Sequence, residues 1–218
     1  MSDLEAPADA PSATDLTSLL AGKLCHDFIS PSGAIVAGLD LMNDPSSADM
    51  RDDALVLIEQ SARKMVATVH FARLAFGSAG AGEEFGVGDV EALVRGVTEG
   101  GRGTMTWSGE GRFSRAEARI LANLAYVGAG ALALGGEARL SVSPAADMLT
   151  FRVESEGPRA RLKPEALTGL AGQRLMDGLP GQWIQPYWLS RLVAEAGGRL
   201  TVDVATEGRV LIEAVLPG

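Results

Sequence analysis

The stretch KLCHDFISPSG, Lys23 to Gly33, decides how this chain is read. It holds a histidine, an acidic neighbour, a Ser-Pro pair and the only cysteine, in a chain with two histidines. Its helical phase follows from its surroundings. Leu20, Leu24, Phe28, Pro31, Ile35, Leu39 and Met42 recur at steps of three and four, tracing one apolar stripe along a helix from about Asp15 to Met42. Each helical residue turns about 100°, so positions two apart lie on nearly opposite sides. Leu24 and Phe28 both stand two positions from His26, and the histidine is therefore expected to face solvent. Its own face runs through Leu19, Gly22, Lys23, Ile29, Ser30, Gly33 and Ala37. That face is small, partly apolar and nearly uncharged beside the ring, with room for another protein to lie against it.

Working outward, NDPSSAD (Asn43 to Asp49) supplies a turn. Asn43 and Asp44 stop the first helix, Pro45 resists its continuation, and Ser47 or Asp49 is placed to cap the next. A second helix is predicted from about Met50 to Phe76, with Leu55, Ile58, Ala62, Met65, Val69 and Phe76 on its apolar face. Two long helices joined by a tight turn make an antiparallel hairpin. One hairpin cannot cover both of its stripes. Either two copies pair into a four-helix bundle or the hairpin packs on the rest of its own chain, and the homodimer is the physical expectation.

Composition narrows the classes. Of 218 residues 46% are hydrophobic and 22% charged, as in a soluble globular protein. The net charge of −9 repels phosphate backbones, and no basic cluster in the sequence opposes it, so nucleic acid is not an expected partner. One cysteine cannot form an internal disulfide. Residues 1–14, acidic and Ala/Pro-rich without a basic or apolar region, read as a disordered leader rather than a signal peptide. No apolar run reaches membrane-spanning length, so a cytoplasmic protein with no membrane partner is expected.

GSAGAGEEFGVG (Gly77 to Gly88) is a Gly-rich break. It divides a hairpin domain, 15–77, from a linker and domain start, 78–88, and a second domain, 89–218. Beyond it the pattern predicts helices at Val90–Val97 and Arg115–Leu134, a short one in KPEALTGLAG, and one at Ile184–Ala196. Strands are predicted at Thr104–Trp107, Ala138–Ser143 and Met148–Glu154, and in the final hairpin of RLTVDVA and RVLIEAVL. The fold class is α+β: a helical hairpin followed by an α/β sandwich, one helical layer on one mostly antiparallel sheet.

Candidate chemistry concentrates around His26. Pro31 sits inside an otherwise helical pattern, where proline costs about 3 kcal/mol and bends the helix. Asp27 follows the histidine directly and is either a base, an orienter of the ring, or a solvated acid. Ser30, at i+4, is placed to reach the histidine or an incoming group, or is a plain surface serine. Lys23, one turn earlier, is placed to attract acidic groups or lies solvated. Cys25 is no nucleophilic partner, because adjacent helical residues do not face each other, and it is expected as a packed thiol. His70, in ATVHFARLAF, has no acidic neighbour at a useful spacing. No His/Cys/Asp/Glu cluster shows metal-ligand spacing.

HDFISPSGAI resembles the H-box of bacterial histidine kinases and phosphotransferases: histidine, acidic residue, two variable positions, Ser/Thr/Asn, proline. The resemblance implies that His26 accepts a phosphoryl group through a ring nitrogen, with Asp27 as base or orienter and Ser30 close by. It implies a receiver-docking face of Leu19, Gly22, Lys23, Ile29, Pro31 and Gly33. The second half resembles the Bergerat-type (GHKL-like) ATPase domain of the kinases, with its nucleotide contacts altered. ILANLAYVGAGALALGG is similar to the N-box and keeps Asn123, but Val127 stands where a second asparagine helps hold magnesium. In SEGPR, Ser155 replaces the adenine-gripping aspartate and Arg159 replaces a glycine. In WIQPYWLSRLVAEAGGRLTVDV the loop glycines are replaced by Gln185, Pro186, Tyr187 and Trp188, which obstruct close approach to phosphates.

From about residue 15 to 217 the chain resembles the ChpT-type histidine phosphotransferases. That implies a homodimeric relay without ATP. The receiver domain of a CckA-like hybrid histidine kinase hands its phosphoryl group to His26, which passes it to CtrA-like and CpdR-like regulators of the cell cycle. No cofactor of its own is implied, because Mg²⁺ comes with the receiver. Two rivals stay open: an active ATP-dependent histidine kinase, and a dimeric scaffold whose histidine never carries phosphate. The direction of flow is also open.

Overall fold

The computed structural model describes residues 10–77, 82–145 and 147–218. Helix α1, Ala13–Asn43, opens on a capping box. The Ser12 hydroxyl accepts from the Asp15 N–H at 3.1 Å, and the Asp15 carboxylate accepts from the Ser12 N–H at 3.3 Å. This cap sets the helix start ahead of Asp15, so Ala13 and Thr14, expected in the disordered leader, are helical. Residues 1–9 of that expected leader lie outside the described residues. The helix is continuous through Pro31, whose missing N–H leaves the Asp27 carbonyl without its usual donor. One residue on, the Ser32 hydroxyl donates to the Phe28 carbonyl at 2.8 Å.

The turn that follows is a 3-10 helix, Pro45–Met50. Asp44 organises it, accepting from the Ser46 N–H at 2.9 Å and from the Ser46 and Ser47 hydroxyls. These bonds hold the Asp44 carboxyl below the usual aspartate range, the Ser46 hydroxyl contributing most. Neither Ser47 nor Asp49 caps the second helix. The 3-10 turn runs directly into α2, Arg51–Ala75, and Met50 takes the N-cap position with no side-chain bond. The two helices approach closely at Gly38, where a Cβ would meet Ile58 Cγ1 at 2.6 Å and the Ala54 carbonyl at 3.1 Å.

The second part contains β1 (Glu84–Gly86), α3 (Val87–Thr98), β2 (Gly103–Ser108), β3 (Arg112–Ser114), α4 (Arg115–Gly130), β4 (Gly136–Ala145), β5 (Met148–Glu156), α5 (Pro164–Leu170), α6 (Pro180–Glu195), β6 (Arg199–Asp203) and β7 (Arg209–Pro217). Five strands form one sheet in the order β2-β4-β5-β7-β6. Only the β2–β4 pairing is parallel, so the sheet is mostly antiparallel, as the alternation predicts. Strands β5 and β7 alternate buried and partly exposed residues, which puts Phe151, Val153, Ile212 and Ala214 on the core face. Ile120, Leu121 and Leu124 of α4 and Leu189 and Val193 of α6 cover that face.

Three differences from the predicted elements have local causes. β1 and β3 pair antiparallel, three residues each, inside stretches read as glycine-rich break and loop. Their partners lie 26 to 30 residues apart, beyond any local periodicity. Helix α4 ends at Gly130 rather than Leu134, because GAGALALGG turns through positive-φ Gly135 and Gly136. Helix α6 starts at Pro180, not Ile184; proline at the first helical position is preorganised and loses no bond there.

The second part is bolted to the open end of the hairpin. Leu16, Leu19 and Leu20 of α1 pack on a buried cluster of Trp183, Ile184 and Tyr187 from α6. At the end of α2 the Ala75 carbonyl accepts from Asn123 Nδ2 at 3.2 Å and from Trp188 Nε1 at 2.8 Å. Farther up α2, Lys64 donates to the Val97 carbonyl at 2.6 Å. No helix among the described residues is long and apolar enough to cross a membrane.

Candidate active site

His26 sits mid-way along α1 with its side chain 87% exposed, on the side opposite the half-buried Leu24 and Phe28. The predicted helical phase accounts for this directly. Around it Gly22 and Gly33 are open, with nothing within 4 Å of where a Cβ would stand. Ile29 is 71% exposed, an apolar side chain presented to solvent one turn from the imidazole. Leu19 is half-buried because it also packs towards α6, and Pro31 is half-buried as well. Cys25 is exposed rather than packed: it lies one step off the stripe, where none of the described residues covers it.

Asp27 comes closest to the ring. Its Oδ1 lies 3.4 Å from His26 Nδ1, a long contact that the length of the two side chains allows although they are sequence neighbours. A carboxylate oxygen only accepts, so this contact favours the proton on Nδ1 and the lone pair on Nε2. Asp27 Oδ2 is held by Lys23 Nζ at 2.7 Å, an i,i+4 pair on one face of the helix. Lys23 is not solvated. Its side chain is only 8% exposed, and its ammonium lies 5.5 Å from the centre of the Tyr126 ring on α4. Among the described residues Ser30 makes no hydrogen bond to His26 and stands exposed one turn away.

His26 opens onto a groove of about 1640 Å³ between α1, the end of α3, α4, the segment before α5 and the start of α6. Its lining carries seven cations, among them Lys64, Arg95, Arg159, Arg161 and Lys163, against two acids, Asp27 and Glu99. In a chain of net charge −9 this is a local inversion of sign. Composition did not reveal it, because the cations come from separate segments. One signal was present in the sequence: in RARLK, Arg159, Arg161 and Lys163 alternate with buried Ala160 and half-buried Leu162, as an extended segment with one wet edge does. Burial lowers the Lys64 pKa below the ordinary lysine value, with Glu99 opposing.

Of the positions that the kinase resemblance matches to nucleotide contacts, Val127, Arg159, Gln185 and Pro186 line the groove, while Ser155, Tyr187 and Trp188 bond or pack within the protein. Val127 is 6% exposed and presents hydrocarbon, which does not fit a magnesium ion's need for oxygen. The buried Ser155 hydroxyl donates to the Gly128 carbonyl at 2.9 Å. Arg159 faces the groove. Gln185, Pro186, Tyr187 and Trp188 lie within α6 rather than in a loop before it, and Tyr187 stacks on Trp183 with ring centres 4.4 Å apart. Asn123 Oδ1 accepts from Gln185 Nε2 at 3.1 Å, inside the protein.

Residues 87–208, more than half of the chain, match the family model for the histidine phosphotransferase C-terminal domain. The chain belongs to the histidine phosphotransferase family. It is 32% identical over 198 residues to the protein phosphotransferase ChpT of Brucella abortus (strain 2308), covering 90% of this chain and 93% of that one. A solved structure of a bacterial phosphotransferase superposes with a TM-score of 0.79 at 29% identity, over 94% of this chain and 98% of that one. For a histidine phosphotransferase the two histidines are unequal candidates. His70 lines a separate, smaller groove between α2 and α3 with Arg63 as its charged neighbour, whereas His26 has a carboxylate beside one nitrogen and a side chain otherwise exposed.

Proposed function

We propose that the chain relays phosphoryl groups between receiver-domain aspartates through His26, as a cytoplasmic homodimer that does not use ATP. The observation that carries this is an exposed imidazole with one nitrogen facing Asp27, standing at the mouth of a cationic groove. The incoming group arrives as an acyl phosphate on a receiver aspartate. The His26 Nε2 lone pair attacks phosphorus and an N–P bond forms. The P–O bond to the aspartate breaks, and its electron pair leaves with the receiver's carboxylate. The Nδ1 proton stays on the ring, and Asp27 faces the positive charge that develops there. Return of the group to a second receiver is the same step reversed.

A receiver's phosphorylation pocket is acidic and brings its own Mg²⁺, so the cations of the groove complement it in sign and steer its approach. The small and apolar face of Gly22, Ile29 and Gly33 leaves room for it to lie flat on α1. The partners proposed are the receiver of a CckA-like hybrid kinase upstream and CtrA-like and CpdR-like regulators downstream. The absence of ATP use is supported by Val127, by the inward hydrogen bond of Ser155, and by the aromatic filling of α6.

Incubating the chain with a radiolabelled phospho-receiver tests the relay. Label should reach wild type and be absent from His26→Ala with its circular dichroism unchanged. Label persisting in His26→Ala would overturn the assignment of the residue. Calorimetry with Mg-ATP should show no binding heat, and micromolar affinity would overturn the ATP-independent part.

A further inference from the structure

We propose that Tyr126, on the second domain, is a positioning residue for phosphoryl transfer: its ring seats Lys23, which fixes Asp27, which fixes the proton on His26 Nδ1. This rests on the reading of His26 as the accepting residue.

The observation is a row of four groups spanning two domains. A lysine one turn before an exposed histidine would ordinarily extend into water, yet Lys23 is folded back against α4 and nearly buried. A distance of 5.5 Å from ammonium to ring centre lies within reach of cation–π attraction, which strengthens where water is excluded. Tyr126 is itself held, its ring 5.1 Å from that of Phe71 on α2. The ammonium takes one oxygen of Asp27 at 2.7 Å and so turns the other towards the imidazole. A lone aspartate on a helix surface rotates freely and would leave the ring to sample both tautomers. With one oxygen engaged, the carboxylate keeps its second oxygen on the Nδ1 side.

The consequence for the reaction is at the free nitrogen. Only the tautomer with its proton on Nδ1 presents an Nε2 lone pair to phosphorus. With its other oxygen engaged by Lys23, the Asp27 carboxylate accepts from Nδ1 and faces the positive charge that develops on the ring as the N–P bond forms. The second domain thus acts on the histidine through a side chain rather than through a nucleotide. Tyr126 directly precedes Val127, the position where the kinase pattern has its magnesium-binding asparagine.

Two readouts test this in the full chain. Long-range ¹H–¹⁵N correlation of the two imidazoles, with His70→Gln for assignment, reports the tautomer without any partner. Phosphoramidate, which phosphorylates histidine directly, reports reactivity. Wild type and Tyr126→Phe, which keeps the ring, should show the Nδ1–H form and equal labelling rates. Tyr126→Leu and Lys23→Met should show mixed tautomers and label roughly tenfold more slowly. Lys23→Met tests the row even if Tyr126→Leu fails to fold, because it leaves α4 intact. An unchanged tautomer and rate in Lys23→Met, or loss in Tyr126→Phe equal to that in Tyr126→Leu, overturns the proposal and leaves the relay standing. Failure of wild type to label at His26 overturns the relay instead.

Discussion

Asn123 shows how a residue keeps its identity while its bonding turns inward. Its side chain is fully buried, and its amide donates to the Arg119 carbonyl at 2.8 Å as well as to the Ala75 carbonyl. The Ala75 carbonyl belongs to the last turn of α2, where helical carbonyls lack intrahelical donors. Asn123 and Trp188 supply them, so the second domain caps the hairpin. Asn123→Ala removes one of those donors and leaves the Gln185 amide without its acceptor. A buried polar group left unpaired costs about 1–3 kcal/mol, so the midpoint of urea unfolding should fall by that much stability. A wild-type midpoint would show that the bond carries no structural weight. Gly128 is a second constraint on the same helix: a Cβ there would stand 2.8 Å from Val153 Cγ1, so α4 lies close on β5 only because the side chain is absent.

Among the elements, the sheet carries the clearest electrostatic dependence. On the outward face of β5 and β7, Arg209 hydrogen-bonds Glu154 and also reaches Asp203 at 3.3 Å. The Arg209 bond, the largest cause, holds the Glu154 carboxyl below the usual glutamate range despite some burial. A carboxylate with a depressed folded pKa stabilises above its unfolded value, and that contribution is lost as pH falls through the folded value. Thermal melts of wild type and Glu154→Gln should therefore differ at neutral pH and converge once the pH drops below the ordinary glutamate range. A gap independent of pH would mean the pair acts through packing alone. The helices show the opposite balance. Among the described residues Gly38 is the only one of α1 that is fully buried, so the stripe from Leu20 to Met42 is only half covered.

For the molecule as a whole, that incomplete burial is the largest unmet demand. Towards the closed end of the hairpin Val36, Leu39, Leu55 and Val56 are all about half exposed, while the second domain packs on the open end. A second copy supplying the same face would complete a four-helix bundle. Sedimentation should give twice the chain mass for wild type. Leu39→Glu should shift it to the monomer with helix content retained, because each copy places a charge in the shared core. A monomeric wild type at micromolar concentration would remove the dimer from the proposed relay. Histidine placement needs no partner, since His26 and its row lie within one chain.

Periodicity alone was enough for the hairpin, for the outward direction of His26, and for most of the sheet, because alternation at two residues and recurrence at three and four are local consequences of backbone geometry. The same local reading placed Asp27 beside the ring but left its role open, left Lys23 between attracting acidic groups and lying solvated, and expected Cys25 to be packed. Neither outcome is local: what covers a surface residue depends on which distant element lies over it. Tyr126 reaches Lys23 across 103 positions of sequence, and Arg159, Arg161 and Lys163 meet Lys64 only when α2 and the second domain pack together. Tertiary structure therefore decided the electrostatics of the site, gathering dispersed cations into one groove and seating one lysine on an aromatic ring. The sequence by itself determined where the histidine points.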